Sequence, residues 1–463
     1  TATVSNISGT GTLQLKLDTT NGTYDNKLAI DEDFEGTTHV TAGNLTLTGS
    51  TFGNTLKLAN GVNAQITAAT VLTENLELEG SSEIHQNNGN ELTVQGNVSG
   101  ADGIWVRKGG GTLELNGSVR LKGFDTGSDG TTSNFNGTTE ITTVTLDQSK
   151  ITANFNGNAT VGTLNPSGTD VTLGGTGKLS VGNFNLAGGK SVTIDGLSIV
   201  ESAAQTRSWN DNTINLKNGA SLDSRLSYYN HQSGTLTIGG SDADGTMYVK
   251  GLCLMPSDVA YAKSELNVSS GAHLIIAGET SGTTGSDFVL AVGGEQSQYS
   301  AGANKINVYG TLTSNAAMTL YRKAADVTIQ NGGRLNLLEG LVLKGTAYND
   351  WQGAMNANLQ VQEGGQLYAA GGAQRSELVV SLASGTTLGA IGSADSTVTF
   401  KNNMTVGTAG KDGTFTVDTA ATTADDNFLL TRSETMGVTV DMTGSLNLQG
   451  NITVEVIGSG ALR

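Results

Sequence analysis

The chain is poor in cysteine, proline, aromatic side chains and charge. Cys253 is the single cysteine in 463 residues, so neither an intramolecular disulfide framework nor a multi-cysteine zinc site can form. Only Pro166 and Pro256 occur, which excludes a proline-rich linker or a collagen helix. Charged residues are 14% of the chain; a disordered acidic chain would carry more charge and fewer Val, Ile and Leu. No stretch approaches the roughly 20 apolar residues of a membrane-spanning helix. The net charge of −17 opposes contact with phosphate backbones and anionic bilayers. Neither a nucleic-acid partner nor membrane insertion by this segment is therefore expected. The diffuse negative charge reads as a solubility device. The chain opens Thr1-Ala2-Thr3, without Met and without an apolar signal segment. It is expected to be a mature or excised piece of something longer.

Glycine, in contrast, is abundant at 65 residues, and it falls between short apolar alternations. Leu13-Gln14-Leu15, Leu56-Lys57-Leu58, Leu76-Glu77-Leu78, Leu113-Glu114-Leu115, Leu266-Asn267-Val268 and Leu359-Gln360-Val361 all alternate apolar with polar. Period two places one side of each strand inward. In the second half a shared corner follows the alternation: Gly219-Ala220, Gly271-Ala272, Gly332-Gly333, Gly364-Gly365 and, more loosely, Gly385. Each is followed by a Leu (Leu222, Leu274, Leu335, Leu367, Leu388) that re-enters the core. Glycine permits the positive φ of a sharp corner. The best helical candidate, 256–263, is short.

These repeats predict an all-β chain: a right-handed, single-stranded parallel β-helix, an elongated rod with loop insertions. At roughly 20–25 residues per coil it would hold about 20 coils. Two regions of one continuous solenoid are expected, 1–200 and 201–463, the second continuing the β-helix with longer insertions.

Residues 92–117 read LTVQGNVSGADGIWVRKGGGTLELNG. This string resembles the autotransporter-associated β-strand repeat, matching at Lys108, Gly109, Gly111, Thr112, Leu113 and Leu115. The usual continuation has a counterpart in Phe135-Asn136-Gly137-Thr138-Thr139-Glu140-Ile141. The N-terminus is similar, with Gly9-Thr10-Gly11-Thr12-Leu13, then Phe34-Glu35-Gly36-Thr37-Thr38-His39-Val40. The two copies cover roughly residues 1–150. The resemblance implies the passenger of a Gram-negative autotransporter, exported through the outer membrane and displayed at the cell surface or released. Any translocator barrel would then lie beyond Arg463.

Catalytic signatures are sparse. No Gly-x-Ser-x-Gly elbow occurs, and no pair among His39, His85, His231 and His273 has metal-ligand spacing. His39 and His273 are expected on solvent-facing strand positions. Asp242-Ala243-Asp244-Gly245 opens like a calcium loop, but position twelve is Cys253 instead of Glu. It reads as an Asp-Gly turn. The carboxylate pairs Asp31/Asp33 and Asp425/Asp426 are poor candidates for hydrolysis, which needs two carboxylates at a defined separation. No catalytic residue, metal or cofactor is expected.

The second half concentrates the scarce aromatic and basic residues in interruptions at 203–212, 225–233, 253–264, 279–304 and 345–356. Arg207, Trp209, Arg225, Tyr228, Tyr229, His231, Tyr348 and Trp351 are the candidate ligand-binding residues. Rings stack on sugar C–H faces, and guanidinium and amide groups bond hydroxyls. The competing reading is that the rings pack over the rod and anchor their own loops. The expected function is an adhesin binding host glycans or mucin, extracellular matrix or other cells. The alternatives are a polysaccharide-degrading β-helix enzyme and a structural stalk or self-association module.

Overall fold

The computed structural model describes residues 7–17, 34–48, 51–86, 89–231, 233–254, 264–278, 290–292, 304–321, 325–344, 357–372 and 379–463, with the short strands Thr3–Val4 and Lys27–Leu28. The segment 256–263, Asp31, Asp33, Tyr348, Trp351 and most of the interruptions at 253–264, 279–304 and 345–356 lie outside the described residues.

No α-helix occurs among the described residues. The chain divides into two compact units, Thr1–Ala203 and Ala204–Arg463, and each is a parallel β-solenoid. In the first unit, Val119–Thr126, Thr139–Thr145, Ala159–Asn165 and Lys178–Phe184 stack in register. Val119 pairs with Thr139, Thr139 with Ala159, and Ala159 with Leu179. The chain thus returns to the same position at a constant interval, and the side chains form columns. Leu121, Ile141, Val161 and Val181 make one buried column; Phe124, Val144, Leu164 and Phe184 make another. Phe135 and Phe155 stack at 4.9 Å with an 8° interplanar angle.

Polar columns run along the outside. Asn156 donates its amide to Asn136 at 2.7 Å, and Asn136 donates to Asn116 at 2.8 Å, each partner 20 residues back. The interior amide of the ladder, Asn136, donates and accepts at once, so stacking satisfies polar groups as well as apolar area.

The Lys-Gly segment of the repeat-like motif forms a corner. Gly109 and Gly111 have φ of +79° and +110°, and Leu113 and Leu115 after them are fully buried. Beside this corner Arg107 is wholly enclosed. It donates to Gln86 Oε1, the Thr132 carbonyl and Ser133 Oγ, each at 2.7 Å, and also to the Gly111 carbonyl. Burial pulls its pKa down to about 10.

In the second unit the residues after the corner glycines form one continuous column. Leu222, Met247, Leu274, Leu312, Leu335, Leu367, Leu388 and Val417 pair in succession, and all are buried. The five corner glycines have φ between +70° and +80°. At Gly271 a Cβ would lie 1.8 Å from the Ala243 carbonyl oxygen, so both conformation and space demand glycine there.

Coil length varies in this unit. Leu236 pairs with Leu266, Leu266 with Ile306, and Ile306 with Val327. The coil from Leu266 to Ile306 is therefore nearly twice as long as the one that follows it. The solenoids make about 17 turns. That is fewer than the roughly 20 expected from a uniform coil, because the longer coils use more chain per turn.

Among the described residues, two elements depart from this plan. Ala420–Ala424 and Leu430–Gly437 form an antiparallel hairpin. Thr397–Phe400, Thr439–Met442 and Ala461–Leu462 form a separate three-stranded parallel sheet.

Candidate ligand-binding site

The strand Ser221–His231 pairs with Thr246–Leu254, but its register breaks between Ser224 and Tyr228. Ser224 faces Val249 and Tyr228 faces Gly251, so Arg225, Leu226 and Ser227 bulge out opposite Lys250 alone. A bulge of this kind re-aims side chains. Leu226 is left 48% exposed, and Arg225 is turned back across the outer surface. Asp223 holds the guanidinium, accepting from its Nε through both carboxylate oxygens at 3.1 Å. The guanidinium lies over the Tyr248 ring at 4.5 Å, and Lys250 Nζ sits 5.0 Å from the Tyr228 ring. Two cation–ring pairs on neighbouring coils thus share one corner. Burial raises the Tyr248 pKa; Asp223 and Asp425 add to the rise and Arg225 opposes it.

The candidate residues divide by the strand's alternation. Tyr228 and Arg225 lie on the outer side. Tyr229 and His231 pair with the buried Leu252 and Leu254 and are themselves enclosed. Trp209 is 3% exposed and meets Tyr229 edge to face at 4.7 Å. Arg207 lies 5.7 Å from the Trp209 ring and is also buried. His231 Nε2 donates to the Gly234 carbonyl at 2.9 Å. Arg207, Trp209, Tyr229 and His231 thus anchor the coil from within. Residues absent from the sequence-based set complete the outer cluster: Asp223, Tyr248, Lys250 and Asn427. Asn427 comes from the turn of the distant hairpin, and its side-chain oxygen accepts from Arg225 Nη1 at 3.3 Å.

Beyond Tyr248, a column opposite the core column continues through Ile275, Thr313, Asn336, Tyr368 and Gly389 to Asp418. These side chains are polar in the main but buried. Asp418 anchors the far end. It accepts from Arg432 Nε at 2.7 Å, the Tyr368 hydroxyl at 2.7 Å and the Ala420 N–H at 3.1 Å. Burial pushes its carboxyl upward, but these hydrogen bonds outweigh burial and hold it below the ordinary range. Burial and the bond to Asp418 push Tyr368 up to about 12. With both oxygens engaged, Asp418 serves as a post for the hairpin.

His273, expected on a solvent-facing position, is half-buried and hydrogen-bonded to Thr313 Oγ1 at 2.8 Å. It lies beside the polar column, stacked between Thr246 and Thr311. Burial, helped by the Arg334 charge, lowers its pKa to about 4. The unfolded chain therefore binds this proton more tightly than the native protein. The contribution of neutral His273 is complete above about pH 6.5 and is lost as pH falls towards 4. Wild type should lose about 2–3 kcal/mol more than His273→Gln between pH 7 and 4.5. Urea midpoints of the two proteins at both pH values measure the difference, and equal losses would reject the assignment.

The Asp242–Gly245 segment is a coil corner. Asp242 has a φ of +55°, and the Asp244 carboxylate accepts from the Gly219 N–H at 2.9 Å. Among the described residues no group of three or more His, Cys, Asp or Glu side chains is arranged to hold a metal ion. No family model, curated protein or solved structure matches the chain.

Proposed function

We propose that this chain is the passenger of an autotransporter-like surface protein and that the bulged corner of its second solenoid binds glycans. Extracellular or cell-surface display follows from that reading. One observation carries it: Arg225 over Tyr248 and Lys250 against Tyr228, presented with exposed Leu226 on a rigid coil. Cations, phenol hydroxyls and an apolar edge grouped on one surface match a sugar's hydroxyls, anionic substituents and C–H faces. The stacked coils beneath pre-organise them, which lowers the ordering cost of binding. The repeat-like motif at 92–117 supports the export half of the reading.

A glycan array that includes mucin O-glycans tests it. The wild-type chain should give a specific hit. Tyr228→Ala with Lys250→Ala should weaken that hit about tenfold or more, from the loss of ring stacking and a cation. A blank array for the wild type, or a hit that ignores both substitutions, would sink the proposal. Trp209→Ala is not a substitute test, because it removes a buried ring.

A further inference from the structure

The hairpin Ala420–Ala424/Leu430–Gly437 is anchored at its base where Arg432 meets Asp418, and Thr422 pairs with Gly392. Its turn reaches the other end of the polar column, where Asn427 meets Arg225. The turn is internally braced, since Asp425 Oδ1 accepts from the N–H groups of Asn427 and Leu429 at 2.8 and 3.0 Å. That bracing sets an amide oxygen on the Arg225 guanidinium and keeps the Asp425 charge close enough to act on the Tyr248 hydroxyl.

Charge accounts for the choice of groups. At the corner, Arg225 and Lys250 outnumber Asp223. Without the turn the corner is net positive; Asp425 cancels that charge. The turn is exposed and carries no core residue except the half-buried Phe428, so its packing alone gives little reason for its position. Its polar contacts do.

We propose that the hairpin turn is a built-in stand-in for ligand, an autoinhibitory contact, and that the ligand it imitates is a glycan bearing both a carboxylate and an N-acetyl group. The proposal rests on the glycan-binding reading and extends it. The Asn427 carboxamide takes the place of the acetamide carbonyl, and the Asp425 carboxylate takes the place of the sugar acid. A ligand must displace the turn, so the apparent affinity is reduced by the fraction of molecules with the turn docked.

The test is calorimetric titration of the whole chain with sialyllactose, which carries both groups, and with lactose, which carries neither. Asn427→Ala removes the bond to Arg225. Asp425→Asn keeps an acceptor for the turn's own N–H groups while removing the charge. Each should tighten sialyllactose binding about threefold, and the pair about tenfold, by loss of the competing contact. Lactose should bind no variant. Unchanged melting temperatures would show that the fold is intact, as expected for exposed positions. If wild type and both variants bind sialyllactose equally, or if the double variant does not bind it, the stand-in proposal is overturned. Array binding that depends on Tyr228 and Lys250 would then leave the glycan reading standing. A blank array would remove both.

Discussion

Asp418→Ala should detach the hairpin and cost about 3–5 kcal/mol, the range for removing one partner of a buried, hydrogen-bonded ion pair. The carboxylate is enclosed and binds Arg432, Tyr368 and the Ala420 amide together. Alanine strands a phenol and a backbone N–H and unties Arg432 from the coil. Arg432 is already partly exposed and keeps its bond to Glu434, but its tie to the coil beneath is gone, so the loss should appear first as local opening. Hydrogen exchange should rise across residues 420–437 while the core column from Leu222 to Leu388 stays protected. Asp418→Asn retains an acceptor for Tyr368 and should cost less. Full protection of the hairpin in Asp418→Ala would show that Asp418 is not its anchor. Freed hairpins should also bind acidic glycan more tightly, which links this variant to the stand-in proposal through a different residue.

Phe155→Ala should destabilise the first unit by a similar amount, about 3–5 kcal/mol, the cost of emptying a fully enclosed aromatic site. The ring is completely buried and stacks on Phe135. Neighbouring backbones are fixed by ladder bonds on both sides, so the coil cannot collapse into the space. Phe155→Leu keeps much of the volume and should cost under about 1.5 kcal/mol. In a solenoid each coil contacts only its neighbours, so damage should spread along the stack from the altered coil. Exchange should rise in the stacked neighbours Thr131–Phe135 and Val171–Gly174 and remain unchanged in Asn358–Val361 of the second unit. A uniform rise across both units would contradict nearest-neighbour stability.

Much of the solenoid was legible in the residues because its physics is local. Gly followed at short distance by Leu encodes a left-handed corner and a return to the core, and all five second-half examples form both. The first unit held a stronger signal: Asn116-Gly117, Asn136-Gly137 and Asn156-Gly157 recur at a fixed interval, marking the ladder directly. The site was only partly legible. Clustering aromatics and cations identified Arg225 and Tyr228 but grouped them with inward residues. Strict alternation sets Tyr229 and His231 with Ser227 on the enclosed side, a parity that sequence proximity obscures. Tyr248 and Lys250 join the cluster through inter-coil register. Asn427 joins from 202 residues away, and no local pattern announces such a contact.

The variable coil length has an evolutionary consequence. The interval from Leu266 to Ile306 uses nearly twice the chain of the interval from Ile306 to Val327, yet each advances the ladder by one strand. Axial progress is thus uncoupled from the amount of sequence consumed. Doubling a connecting segment costs only about 0.6 kcal/mol in closure entropy, and the register above and below is preserved. Insertions and deletions between rungs can therefore be tried by selection without renegotiating the core. Such a scaffold can diversify what it presents much faster than it changes what holds it together.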